Sequence, residues 1–136
     1  MSFVSDLEDA IVDRLKSELA IDNIDGARGA WDEIMGGLFA LPGVRVVYEG
    51  SEFEVNNRIE REVASFTVLF ACRDMRGAGR DDAYSLLEDG RIALRGFRPN
   101  LENVSDLIPT KTTFVAGTPD HVVYALQVQT KILRRF

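Results

Sequence analysis

Apolar residues recur along this chain at two different periods, and the period marks the elements. Leu7, Ile11, Leu15 and Leu19 fall every four residues, with Ala10 and Val12 widening the stripe. That spacing predicts an amphipathic helix of about four turns with its charges on the far side. Ser5-Asp6-Leu7-Glu8 reads as its capping box, in which Ser5 accepts from a first-turn N–H and Glu8 reaches back. Residues 21–26 are turn-forming and end it. Trp31, Ile34, Met35, Leu38 and Phe39 return at helical spacing over 27–40. The Gly36-Gly37 pair interrupts them, so a short or broken helix is expected there.

From Val44 the period changes to two. Val44, Val46, Val47 and Tyr48 predict a short strand, and residues 49–61 a polar connection turning at Asn56-Asn57. From Glu62 to Arg73, Phe66, Val68, Phe70 and Cys72 alternate with Val63, Ser65, Thr67, Leu69 and Ala71. This is the clearest strand in the chain. A glycine-bearing loop over 74–80 follows. Asp81 or Asp82 then caps a second helix carrying Ala83, Tyr84, Leu86, Leu87, Ile92 and Leu94. Gly90 lies inside that helix at about 1 kcal/mol relative to alanine, and Gly96 is placed to end it. Residues 97–106 form a loop. Leu107–Val115 and His121–Leu133 read as two strands of a hairpin, with Val122, Tyr124, Leu126, Val128 and Thr130 sharing a face. The order of elements predicts an α+β domain spanning 1–136. Its mostly antiparallel sheet has four or five strands, and two main helices pack on one face.

Charge narrows the function. The net charge is −6, which opposes free-standing nucleic-acid binding and docking on anionic lipid. No stretch approaches the ~18 apolar residues of a membrane helix, and the N-terminus lacks the pattern of a signal peptide. The distribution is uneven. The first 60 residues are acidic, whereas Lys131, Arg134 and Arg135 crowd the C-terminus. One acidic and one basic end suit head-to-tail contact between copies; scattered surface charge is the plainer alternative.

Candidate chemistry is sparse. Cys72 is the single cysteine and His121 the single histidine. No metal-ligand spacing connects them, and Cys72 reads as a small buried hydrophobe. Glu49, Glu52, Glu54, Glu60 and Glu62 read as solvated charges. The Arg73–Arg80 stretch lacks the lysine and Ser/Thr of a phosphate loop. Trp31, Phe39, Phe66, Phe70 and Tyr84 read as core, and Phe97, Phe114 and Phe136 as candidates for a partner's surface.

A family resemblance enters at Phe66–Phe97. The run Phe-Thr-Val-Leu-Phe-Ala-Cys-Arg-Asp-Met-Arg-Gly is followed by a helix containing Tyr84, Leu86, Leu87, Glu88, Arg91, Leu94 and Gly96. This resembles the phage Mu gene-product-37 family of tail proteins. Glu8-Asp9-Ala10-Ile11 with Arg14-Leu15-Lys16, then Val46–Gly50 and Val123-Tyr124-Ala125, are similar to it in the same order. Asp74 stands where that family has asparagine. The resemblance implies a virion tail terminator that works through its surfaces, without catalysis, cofactor or metal. It implies a homo-hexameric ring that caps the tail tube and sheath, ends elongation and meets the neck or head-completion protein, after assembly in the host cytoplasm. On that reading Arg73, Arg76, Arg80, Arg134, Arg135 and Phe136 of one copy meet Glu52 and Glu54 of the next. A neck connector is the alternative, and an enzyme using Cys72 or His121 a more distant one.

Overall fold

The computed structural model of the chain describes residues 2–27, 41–73, 79–117 and 121–136. Within these, helix α1 (Phe3–Glu18) is followed by strands β1 (Ile24–Gly26), β2 (Gly43–Asn56) and β3 (Ile59–Arg73). Helix α2 (Gly79–Leu94), β4 (Ile108–Gly117) and β5 (His121–Arg135) complete the order. The five strands form one sheet in the order β1-β2-β3-β5-β4, antiparallel except for the β1–β2 pair. The α+β class expected from the sequence is therefore observed.

The period-two alternation of β3 fixes its two faces. Ala64, Phe66, Val68 and Phe70 join Leu7, Ile11 and Leu15 of α1, and Ala93 and Leu94 of α2, in the main core. Both helices thus lie on one face of the sheet. Arg14 ties them together: its Nε donates to the Ala93 carbonyl at 2.9 Å and its guanidinium lies over the Phe97 ring. Leu69, Ala71, Val123 and Ala125 form a second cluster on the opposite face, with Ala27 and Leu41 against it. The expected helix over 27–40, with Trp31 and Phe39, lies outside the described residues apart from Ala27.

Several expectations need correction. The N-cap of α1 is Ser2, whose Oγ accepts from Ser5 N–H at 3.0 Å. The helix starts a turn before the proposed capping box because Phe3 supplies one more apolar residue for the core. Glu8 is consequently buried, at 4% exposure, and does not cap. Ile24–Gly26, read as turn, is a strand paired in parallel to Val44–Val46. Residues 49–56, read as a polar connection, continue β2 beyond a bulge at Tyr48/Gly50. The turn falls at Asn57-Arg58, one residue after the expected Asn56-Asn57, since Asn56 still pairs with Ile59 in the ladder. Asn57 and Arg58 both take left-handed backbone, at φ 51° and 64°, the pair of values that a two-residue hairpin turn requires. α2 begins at Gly79, which puts Asp81 and Asp82 inside its first turn. Gly96 ends the α2 region with φ 75°, as expected.

Arg58 is the residue out of place in that turn. A side chain in left-handed backbone costs about 1–2 kcal/mol, and glycine avoids most of it. Arg58→Gly is expected to stabilise the protein by roughly 0.5–1 kcal/mol in chemical denaturation. An unchanged midpoint would show that Arg58 side-chain contacts offset the strain.

Candidate functional site

Where the helical layer stops, the sheet continues. Beyond Ala64, strands β2, β3 and β5 run on to the Asn57-Arg58 turn, with Ile59 opposite Arg135 and Asn56. β1 reaches only Val46, and β4 starts opposite Gln129. The result is a three-stranded arm. Its exposed apolar residues, Phe53, Val55, Ile59, Leu133 and Phe136, are 38–66% exposed. Nothing in the described residues covers them.

The arm's base is locked by a polar network on the helix side. Glu62 is 4% exposed, a correction to its reading as a solvated charge. One carboxylate oxygen accepts from Arg134 Nη1 at 2.6 Å, and the other accepts from Ser51 Oγ at 2.5 Å. Ser51 Oγ also lies 2.6 Å from the Tyr48 hydroxyl. Arg134 Nη1 reaches Glu60 as well, at 3.1 Å, and its guanidinium lies over the Phe3 ring. The Glu62 hydrogen bond raises the Arg134 pKa above the ordinary arginine value, against opposing desolvation.

The residues singled out in the sequence separate into two groups. Glu52, Glu54, Arg134, Arg135 and Phe136 all lie on the arm. Arg73 lies at the other end of β3, twelve residues from Arg61, the partner of Glu54, and so about 40 Å away at ~3.3 Å per residue. Arg76 lies outside the described residues, and the side chain of Arg80 is likewise not described. Arg134 is engaged within its own chain, whereas Arg135 forms no ion pair among the described residues. Phe53, Val55, Lys131 and Leu133 also lie on the arm, Phe53 and Val55 on its helix side and Lys131 and Leu133 on the other. Alternation did not single out Phe53, Val55 and Leu133, because their exposure depends on where the helical layer ends.

Other candidates fall in place. Cys72 is buried beside Ala83 and Val122 on the helix side. His121 is in register with Arg73, so it is on the opposite face of the sheet. The fold does not bring Cys72 and His121 together into a nucleophile–base pair. An apolar cleft of about 390 Å³ between the end of α1 and α2 is lined by Leu19, Ile21, Pro42, Cys72 and Leu86, among others. No group of three or more metal-ligating side chains occurs among the described residues. Phe97, proposed for a partner, instead packs partly buried on the main core. Tyr84, proposed as core, is 48% exposed. It stands edge-on to Tyr124, which also meets the exposed Phe114.

No family model matches the sequence, and no curated protein matches it. Among solved structures, the fold is similar to a chain of the virion of a native gene transfer agent (GTA) particle. The TM-score is 0.63 at 14% identity, over 98% of this chain and 100% of that one.

Proposed function

We propose that this protein is a structural subunit of a phage-type particle, and within it the tail terminator. It forms a ring on the finished tail tube and sheath, stops elongation and presents the surface that joins the head. The observation that carries this reading is the likeness of fold to a chain of a GTA virion, over almost the whole of both chains. The resemblance of the Phe66–Phe97 segment to the Mu gene-product-37 family supports the more specific role. So does the arm, whose apolar residues are left for another molecule to cover. The protein acts by assembly and not by catalysis.

Electron microscopy of negatively stained lysates tests this, from the parent phage or prophage with and without the gene. Overlong or frayed headless tails in the deletion, corrected by supplying the protein, are the expected result. Tails of normal length that only fail to join heads would shift the role to a neck connector. Normal particles without the gene would overturn the structural reading. In the same assay Cys72→Ala and His121→Ala are expected to complement fully, and loss of function with a normally folded protein would reopen the enzyme reading.

A further inference from the structure

The two flanks of the arm differ in a way that specifies a partner. On the β2 flank stand Glu52, Phe53, Glu54 and Val55, all exposed. On the β5 flank and at the C-terminus stand Lys131, Leu133, Arg135 and Phe136, also exposed. None of these four charged residues forms an ion pair within the chain's described residues. Register places Glu52 and Lys131 on either side of Val63, and Asn56 and Arg135 on either side of Ile59. Across the helix-free face the arm therefore runs from acid to base over about 10 Å, two strand spacings.

We infer that the β2 flank of one copy docks against the β5 flank of a second copy, arm beside arm, and that this contact propagates around the assembly. The inference rests on the structural-subunit reading above. Each flank alternates charged with apolar residues, two carboxylates on one and two cations on the other. Register puts Glu52 and Glu54 on the same face as Lys131, Leu133 and Arg135, so joining unlike flanks pairs the charges on that face, while Phe53 and Val55 lie on the helix side. Joining two β2 flanks would set four glutamates against one another, which disfavours a two-fold dimer. The contact is thus heterologous, the kind that closes into a ring. The two sides also differ in backbone. From Glu49 to Asn56, the edge of β2 away from β3 pairs with no described strand. The outer edge of β5 is bonded to Asn103–Ser105, so on that side the contact is made by side chains. Arg134 takes no part, because it holds Glu62.

The test uses two charge-reversed full-length chains, Glu52→Lys/Glu54→Lys and Lys131→Glu/Arg135→Glu, each confirmed as folded by its thermal transition. Each alone is expected to weaken the contact at least about tenfold, or ~1.4 kcal/mol, and to fail to complement the deletion lysate. Supplied together they are expected to restore complementation, since each reversed flank then meets its complement in an alternating assembly. Complementation by either variant alone, or failure of the mixture where wild type succeeds, would overturn the docking mode while leaving the tail reading standing. Normal particles in the deletion would overturn the tail reading instead. Sedimentation of the purified pair then decides the contact: species larger than either variant gives alone support it, and none refutes it.

Discussion

Gly90→Ala is expected to destabilise the protein by up to about 2 kcal/mol, although helix propensity taken alone predicts a gain of about 1 kcal/mol. Gly90 is the position at which α2 comes down on the sheet. A methyl group built there would stand 2.6 Å from Cε1 of Phe70 and closer still to Cζ. The Phe70 ring is 1% exposed and sits in the main core among residues of both helices. To admit the methyl group, either the ring leaves its rotamer or α2 lifts. Overpacking of this kind costs about 1–3 kcal/mol, more than the propensity gain returns. Urea denaturation measures it directly. The diagnostic companion is Phe70→Leu with Gly90→Ala: the smaller side chain removes the obstacle, so alanine should become neutral or favourable in that background. Equal effects of the alanine in both backgrounds would mean the close approach is not what selects glycine.

The same residue shows where sequence reading succeeds and where it stops. Gly90 was legible as a helical glycine that carries a cost; the ring that makes it necessary comes from a strand twenty residues earlier. Elements with a buried face were legible, because burial imposes a period. The α1 stripe of Leu7, Ile11, Leu15 and Leu19 is buried throughout, and β3 sends Phe66, Val68 and Phe70 to one buried cluster and Leu69 and Ala71 to the other. Two elements without such a face were missed. The distal half of β2 lies in the arm, exposed almost throughout, so Glu52, Phe53, Glu54 and Val55 show no one-sided pattern. β1 is three residues of turn-like composition held by parallel pairing with β2, a tertiary interaction that overrides local preference. The candidate surface divides likewise. Glu52, Glu54, Arg135 and Phe136 could be named from charge and chain position. Their grouping on one arm, and the remoteness of Arg73 from it, follow from a register that spans more than seventy residues of sequence.

Arg134 and Arg135 are adjacent residues of the same type, yet their removal is expected to differ sharply. Arg134→Ala should cost about 2–3 kcal/mol, and Arg135→Ala should stay within about 0.5 kcal/mol. Glu62 is the reason. It is 4% exposed, and its carboxylate is bonded by Arg134 on one oxygen and by Ser51 on the other. Without the guanidinium, a buried anion retains one neutral hydroxyl donor, and the desolvation already incurred goes largely uncompensated. The contact over Phe3 at the start of α1 is lost as well. The value stays below that of a fully buried ion pair because Arg134 is itself 36% exposed and water can replace part of what it supplies. Adding Glu62→Gln to Arg134→Ala removes the stranded charge and should recover about half of the loss, whereas Glu62→Gln with Arg134 retained should destabilise. If Arg134→Ala and Arg135→Ala prove equally mild in denaturation, the network is a surface ornament and both arginines are free to face a neighbour. If only Arg134→Ala destabilises, the arm is braced from within by one arginine and Arg135 is left for the next copy.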